Sequence, residues 1–534
     1  MKIVLITLLL SLYLLSDELN PSIKEIDVMP QSISKDYYIW RFIKQKDTTK
    51  KNALKAYSWT KRKSYKLQKA IRKKVGYIPK EKSSTKKKNP KNFIIYPSTA
   101  GAKRYRSLKK LKRLYKKIKK QGKYSDVLQV FTAKSPYKEL RKLPIKTQLY
   151  ILNSINHKYY KRYFNYPFTK QQLKSFLKES AFNRTIFKII TTHKLQNSKK
   201  SLIFDSTTNS LNFESNFLLA MNAIEFKKIN HAINFLSIAR TKTKRQSQYD
   251  QVDFWLYLLT KYNGFLDRLL KSNQINIYTL KARDILNKPY PKVVTPILKD
   301  IEIKDFNITN PIDWEKLKIT IKKNPKRLNR LAKKYKSAKT IGIYTYIKEK
   351  ATKYRVPYYP MPYPNAMKKF DIRRQAILYA VARQESRFIP ASISTSYALG
   401  MMQIMPFLIK HLSKERGEKM DLNQIFDPRV AISYANQHMD YLTSWLYHPL
   451  FVAYAYNGGI GFTKKRLKSK HLFKKGKYEP YLSMELIDYK ESREYGKKVL
   501  ANYVIYLNLL GVPTKITPLL DVLTSPKETD RFRK

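Results

Sequence analysis

The chain of 534 residues contains no cysteine. This excludes disulfides, thiolate metal sites, cysteine nucleophiles and a lipid-bearing N-terminal cysteine. Glycine is scarce, 13 residues in all, which argues against a β-rich fold crowded with tight turns. Acidic residues are few: 38 Asp+Glu stand against 109 Lys+Arg, a formal net charge of +71. The seven histidines show neither H-x-x-E-H nor H-E-x-x-H spacing, so no metal site is expected, and no cofactor motif stands out. Beyond residue 15 no apolar run approaches the roughly 20 residues that a bilayer span needs.

What is present points to a mostly helical protein. Apolar residues make up 43% of the chain, enough to build cores, and Tyr, at 41, dominates the aromatics. The charge is uneven. Residues 366–534 hold 28 Lys+Arg and 15 Asp+Glu, a net of +13, which leaves +58 on 1–365. Such a field draws anionic partners and weakens with salt. Nucleic acid, acidic lipid and anionic cell-wall polymer all qualify, and so does a plain Lys-rich bias on solvated helix faces. At the N-terminus Lys2 precedes the run Ile3 to Leu15, which Ser16 and Asp17 end. Thirteen residues are short for a span and right for the core of an export signal, here 1–16. The remainder is expected to have no stable membrane span once the signal is removed.

Pro79 to Asn92 reads as a solvated loop, and Leu108 to Lys120 as a basic amphipathic helix. Between 214 and 270, Ile229, Ala232, Ile233, Leu236 and Ala239 form one helical stripe. Val252, Trp255, Leu256 and Leu259 form the next, with a polar joint at Thr241 to Gln248. Successive amphipathic helices with short joints predict stacked helical hairpins, an α-solenoid, although no strict repeat period is present. Pro-rich stretches at Lys288 to Pro291 and Val356 to Pro364 mark boundaries. The expected architecture is all-α: a signal at 1–16, a basic α-superhelical domain at 17–290, a helical linker domain at 291–364 and a C-terminal domain at 365–534.

The chemistry concentrates in that last part. Asp371 to Phe388 is apolar on most sides, so this helix should be buried. Glu385 lies on its stripe of Leu378, Val381 and Ala382. Burial favours the neutral carboxyl, which is what protonation of a glycosidic oxygen requires. An ion pair of Glu385 with Arg383 or Arg387 is the plain alternative. Further on come Ser394, the segment Gly400 to Pro406 with Gln403 and Met405, the run Ala453 to Gly459 with Tyr456 and Asn457, and Glu491 to Tyr495. Amides and hydroxyls suit N-acetyl groups, and tyrosine faces suit sugars. Taken singly, each piece reads equally well as core filler or a helix stop.

In order and spacing, Glu385-Ser386, Ser394, Gly400-Met401-Met402-Gln403-Ile404-Met405-Pro406, Ala455-Tyr456-Asn457-Gly458-Gly459 and Glu491-Ser492-Arg493-Glu494-Tyr495 resemble the successive motifs of the soluble lytic murein transglycosylases. The resemblance covers about 355–510. It implies a goose-lysozyme-like catalytic domain behind a ring-forming superhelix, acting in the periplasm on peptidoglycan glycan strands. Cell-wall synthesis or division proteins are further partners it admits, and specific nucleic-acid binding does not fit it. It also implies that Glu385 is the single acid and base, with Ser394, Gln403, Met405, Tyr456, Asn457 and Glu491 lining the glycan cleft. Tyr495 matches the last motif's tyrosine. Departures are Tyr397 where glycine is usual, Met401 for Leu, Gly458 for Ala and Ser492 for Thr. Tyr397 is the largest and is expected to alter the cleft wall.

The implied reaction joins the muramic sugar's own C6 oxygen to C1, giving 1,6-anhydro products without water. Ordinary glycosidases use two carboxylates. A lysozyme-type hydrolase with Glu491 as second acid is therefore the nearest rival, and a non-catalytic cell-wall scaffold is the second.

Overall fold

The computed structural model describes residues 21–78, 113, 116, 123–205 and 210–533. The expected export signal at 1–16, the expected loop from 79 to 92 and, apart from 113 and 116, the expected amphipathic helix at 108–120 lie outside the described residues. The described chain is helical, as expected. Its β structure is confined to the single bridges Val294–Tyr358, Ile393–Leu399 and Leu399–Ile404. Two compact units form, neither a continuous stretch. One gathers the described residues of 21–78, 290–460 and 495–516, and the other gathers the rest.

In the second unit the predicted helical hairpins are present. Asn212 caps the helix Phe213–Glu225 by accepting from the Ser215 amide at 3.0 Å. Lys227 then turns the chain with a left-handed φ of 59°. The helix Ile229–Thr241 returns against the first and buries Ala232, Phe235, Leu236 and Ala239. The stripe is rotated slightly from the predicted one: Phe235 takes the core, and Ile229 and Ile233 are only half-buried. The third helix, Gln246–Thr260, buries Val252, Phe254, Trp255 and Leu256. Pairing of Arg240 with Asp253 at 2.8 Å ties it to its predecessor. The polar joint shrinks to 242–245, because both helices extend into it. C-terminal chain completes this unit: buried Glu485 accepts from Gln251 at 2.9 Å and from the Tyr278 hydroxyl.

The first unit is built around the Ile372–Ser386 helix, whose residues Ala376 to Ala382 are all buried. Asp371 caps its start, accepting from the Arg374 amide at 3.0 Å. The helices Pro311–Lys323 and Ile341–Ala351 share a small core of Trp314, Leu317, Ile343 and Ile347, which Ile389 and Ala391 enter. The N-terminal helix Ile33–Lys44 belongs to this unit as well. Its Arg41 bonds Asp421 at 2.5 Å and Asn423 at 2.7 Å, and its Ser34 donates to Glu315 at 2.7 Å.

Candidate active site

Glu385 sits in the last turn of its helix. The chain leaves that helix sharply, with Arg387 and Phe388 both left-handed at φ 59° and 62°. The Ser386 hydroxyl accepts from the Ile389 amide at 3.1 Å and donates to the Met401 carbonyl at 2.7 Å, tying the helix end to the Gly400–Met405 segment. The plain alternative for Glu385 does not hold. Arg383 and Arg387 both turn to buried Glu349, at 3.0 and 3.1 Å. Arg383 also donates to the Tyr358 carbonyl at 3.0 Å. Half-buried Glu385 instead receives the Tyr495 hydroxyl on Oε1 at 2.7 Å.

Tyr495 reaches Glu385 because two helices approach closely. A Cβ on Gly496 would stand 2.3 Å from the ring of Tyr454, so only glycine lets the Lys490–Leu509 helix lie against Pro449–Gly458. Asn502 adds a second tie, accepting from Tyr359 at 3.0 Å and from Arg383 at 3.2 Å. Gly496→Ala is expected to lower unfolding free energy by about 1–3 kcal/mol, as overpacking does, and to reduce turnover by displacing Tyr495. Urea titration beside a rate measurement checks both.

Tyr456 donates to the Met402 carbonyl at 2.8 Å, and burial and then the Glu385 carboxylate hold its hydroxyl well above the ordinary tyrosine pKa. The Tyr495 hydroxyl is raised in the same way, by burial first and Glu385 next. Both phenols therefore stay protonated beside the carboxylate. Gln403, left-handed at φ 51°, donates through Nε2 to the carbonyls of Gly400 at 2.8 Å and Ser392 at 3.1 Å. Its amide oxygen has no protein partner among the described residues. Ser394 accepts from the Ala398 amide at 2.9 Å. Met405 is half-buried at the start of the helix Pro406–Glu415, and Asn457 is half-buried in the last turn of Pro449–Gly458. Glu491 belongs to the other unit, where it is exposed and accepts from the Tyr489 hydroxyl at 2.9 Å.

The Tyr397 ring is 2% exposed and lies on the N-terminal Tyr37 and Trp40, at centroid distances of 5.8 and 5.6 Å. It thus packs against the N-terminal helices.

One residue escaped the sequence reading. His438 lies beside Tyr456, ring centroids 5.6 Å apart, and stacks on Tyr441 at 6.3 Å. Tyr441 and Trp445 follow at i+3 and i+7 and are 51% and 40% exposed. That helical spacing was the available signal. Burial holds His438 down to about 4, with Glu415 opposing and His411 assisting. In the other unit His471 stacks on His193 at 3.8 Å, and burial, then His193, Lys199 and Lys474, hold it down to about 3. Below the ordinary value of 6.5 the unfolded chain takes up protons that these folded sites refuse. Their contribution is therefore complete above pH 6.5 and is lost as pH falls toward the folded values. Lowering the pH from 7 to 4 should remove on the order of 3 kcal/mol for His438 and less for the more exposed His471, whose charge water screens. Urea midpoints at pH 7, 5.5 and 4 check this, with His438→Gln and His471→Gln each expected to flatten the slope.

The half-buried Glu385, held by Tyr495, lies within a segment that matches a known domain family. Residues 363–478 match the family model of the Transglycosylase SLT domain, so this segment belongs to that domain family. The particular resemblance is to soluble lytic murein transglycosylases. The chain is 28% identical over 159 residues to the soluble lytic murein transglycosylase of Escherichia coli K12, a stretch of 29% of this chain and 24% of that protein. It is 29% identical over 140 residues to that of Salmonella typhimurium LT2, covering 26% and 21%. The matched stretch thus spans about a quarter or less of the length of these curated relatives. Among solved structures, an inactive mutant of lytic transglycosylase Slt from Pseudomonas aeruginosa aligns at 16% identity and a TM-score of 0.47, over 93% of this chain and 75% of that one.

Proposed function

We propose that the chain is a peptidoglycan lytic transglycosylase, exported by its N-terminal signal and working in the periplasm. The observation that carries this reading is Glu385, inside the SLT-matched segment, receiving the Tyr495 hydroxyl at 2.7 Å with Tyr456 alongside. In the proposed reaction neutral Glu385 protonates the oxygen linking N-acetylmuramic acid to N-acetylglucosamine, and that C–O bond breaks. The muramic N-acetyl group stabilises C1. The Glu385 carboxylate, steadied by Tyr495, then takes the proton of the C6 hydroxyl, and the C6 oxygen bonds to C1. The proton given to the leaving sugar is thereby restored and no water is consumed. Intramolecular attack profits from high effective molarity, so one carboxylate suffices.

Ser394, Gln403, Met405 and Asn457 are proposed to line the glycan cleft, and Glu491 is proposed as a substrate contact. The open amide oxygen of Gln403 suits an N-acetyl N–H, and the ring row from Tyr456 through His438 to Tyr441 offers flat faces to sugars. The proposed domains are a basic superhelix at 17–290, a linker at 291–364 and the catalytic domain at 365–534. Among the described residues no helix is long and apolar enough to cross a membrane.

The test is digestion of purified peptidoglycan with the full chain, read by mass spectrometry. Products ending in 1,6-anhydromuramic acid, lighter by one water than reducing-end products, are expected. Reducing ends would make the protein a hydrolase. Binding without products would make it a scaffold.

A further inference from the structure

The loop 392–404 carries Ser394 and Gln403, and its backbone is under strain. Tyr397, Gly400 and Gln403 all stand in the left-handed region, at φ 60°, 76° and 51°. Glycine takes that conformation freely; tyrosine and glutamine do so only where their surroundings enforce it. Within the loop the Ser394–Ala398 turn closes on itself, the Ser394 amide donating to the Ala398 carbonyl at 3.0 Å and the Tyr397 amide to the Ser394 carbonyl at 2.9 Å. Ser394 is therefore placed by the same turn that forces Tyr397 to be left-handed.

What enforces the turn lies far away in sequence. The Tyr397 hydroxyl donates to the Asp36 carbonyl at 3.3 Å and lies 3.4 Å from the Ser64 hydroxyl. Lys66 donates to the Ser396 carbonyl at 2.6 Å, one residue before the ring. The anchor itself is firm, because the buried Asp36 carboxylate accepts the amides of Lys61 at 2.7 Å and Arg62 at 2.9 Å. The N-terminal helices thus grip the loop at its tip.

We infer that Tyr397 is a positioning residue: held by the N-terminal segment 33–66, it fixes the strained 392–404 loop so that Ser394 and Gln403 are presented to the glycan. The inference rests on the transglycosylase reading. Glu385 and Tyr495 stand on helices outside this loop, which is tied to their surroundings through the Ser386 and Tyr456 bonds to the Met401 and Met402 carbonyls, so binding is expected to respond more than chemistry.

Three variants of the full chain test it on uncross-linked glycan strands. Tyr397→Gly removes strain and anchor together. KM should rise about tenfold, with kcat within threefold of the unsubstituted chain, while Tm falls because a buried ring is lost. Tyr397→Ala keeps the strained turn without its anchor; it should show the same rise in KM and a lower Tm than the glycine variant. Tyr397→Phe keeps the ring packing but loses the hydroxyl contacts with Asp36 and Ser64, and should raise KM by an intermediate factor of about three. An unchanged KM in Tyr397→Gly overturns the inference. So does a fall in kcat as large as the rise in KM, which would make the ring ordinary core. If the unsubstituted chain releases no anhydro products, the functional reading fails first, and this inference falls with it.

Discussion

Glu385→Gln is expected to lower kcat by about a thousandfold or more while leaving glycan binding intact. General acid and base catalysis together account for factors of this size, and in the proposed reaction one residue performs both steps. Glutamine keeps the volume and can still accept from Tyr495 through its amide oxygen, so the contact at 2.7 Å is preserved. What it lacks is a proton to give and a carboxylate to take one back. Release of soluble muropeptides measures the loss, and co-sedimentation with insoluble peptidoglycan measures retained binding. Residual turnover above about 1% would exceed what loss of the sole acid and base permits and would remove Glu385 from that role.

Glu349→Ala should be the most damaging change to stability in the first unit. Glu349 is 4% exposed and shared by Arg383 and Arg387 at 3.0 and 3.1 Å. Deleting one partner of a buried ion pair leaves the other charge uncompensated and costs about 3–5 kcal/mol. Here two guanidinium groups lose their partner, and they flank Glu385 in sequence. Unfolding free energy should fall by that amount, and turnover should fall with it even at temperatures where the protein stays folded. Urea titration gives the first quantity and initial rates at low temperature the second. A loss under about 1 kcal/mol would mean that Arg383, through the Tyr358 and Asn502 oxygens, is satisfied without Glu349.

Glu385 and its neighbours differ in how far local pattern reveals them. Apolar periodicity in Asp371 to Phe388 is a local property, and a helix apolar on most faces has to be buried wherever it packs. That made the buried helix and the carboxylate at its end legible. The same holds for the hairpins at 213–260, where only the rotation of one stripe changed, because the packing partner selects which apolar residues face the core. The partners of Arg383 and Arg387 were not legible. Both lie within one turn of Glu385, and only the fold brings Glu349 to them from more than thirty residues away. Tyr397 shows the same limit. As a sequence departure it suggested an altered cleft wall, and only the structure shows that it is buried against residues more than three hundred positions earlier.

The sequence by itself determined the helical class, the burial of the Ile372–Ser386 helix, the excess of positive charge and the order of motifs that ends in Tyr495. These follow from periodicity, composition and spacing, which act over one or two helical turns. The tertiary structure alone decided that Tyr495 donates to Glu385, that Gly496 permits it, that Glu349 gathers the flanking arginines and that the N-terminal helices hold the Tyr397 turn. Each of these is a contact between segments remote in sequence, and such contacts are set by which buried surfaces and charges find each other once the chain is compact.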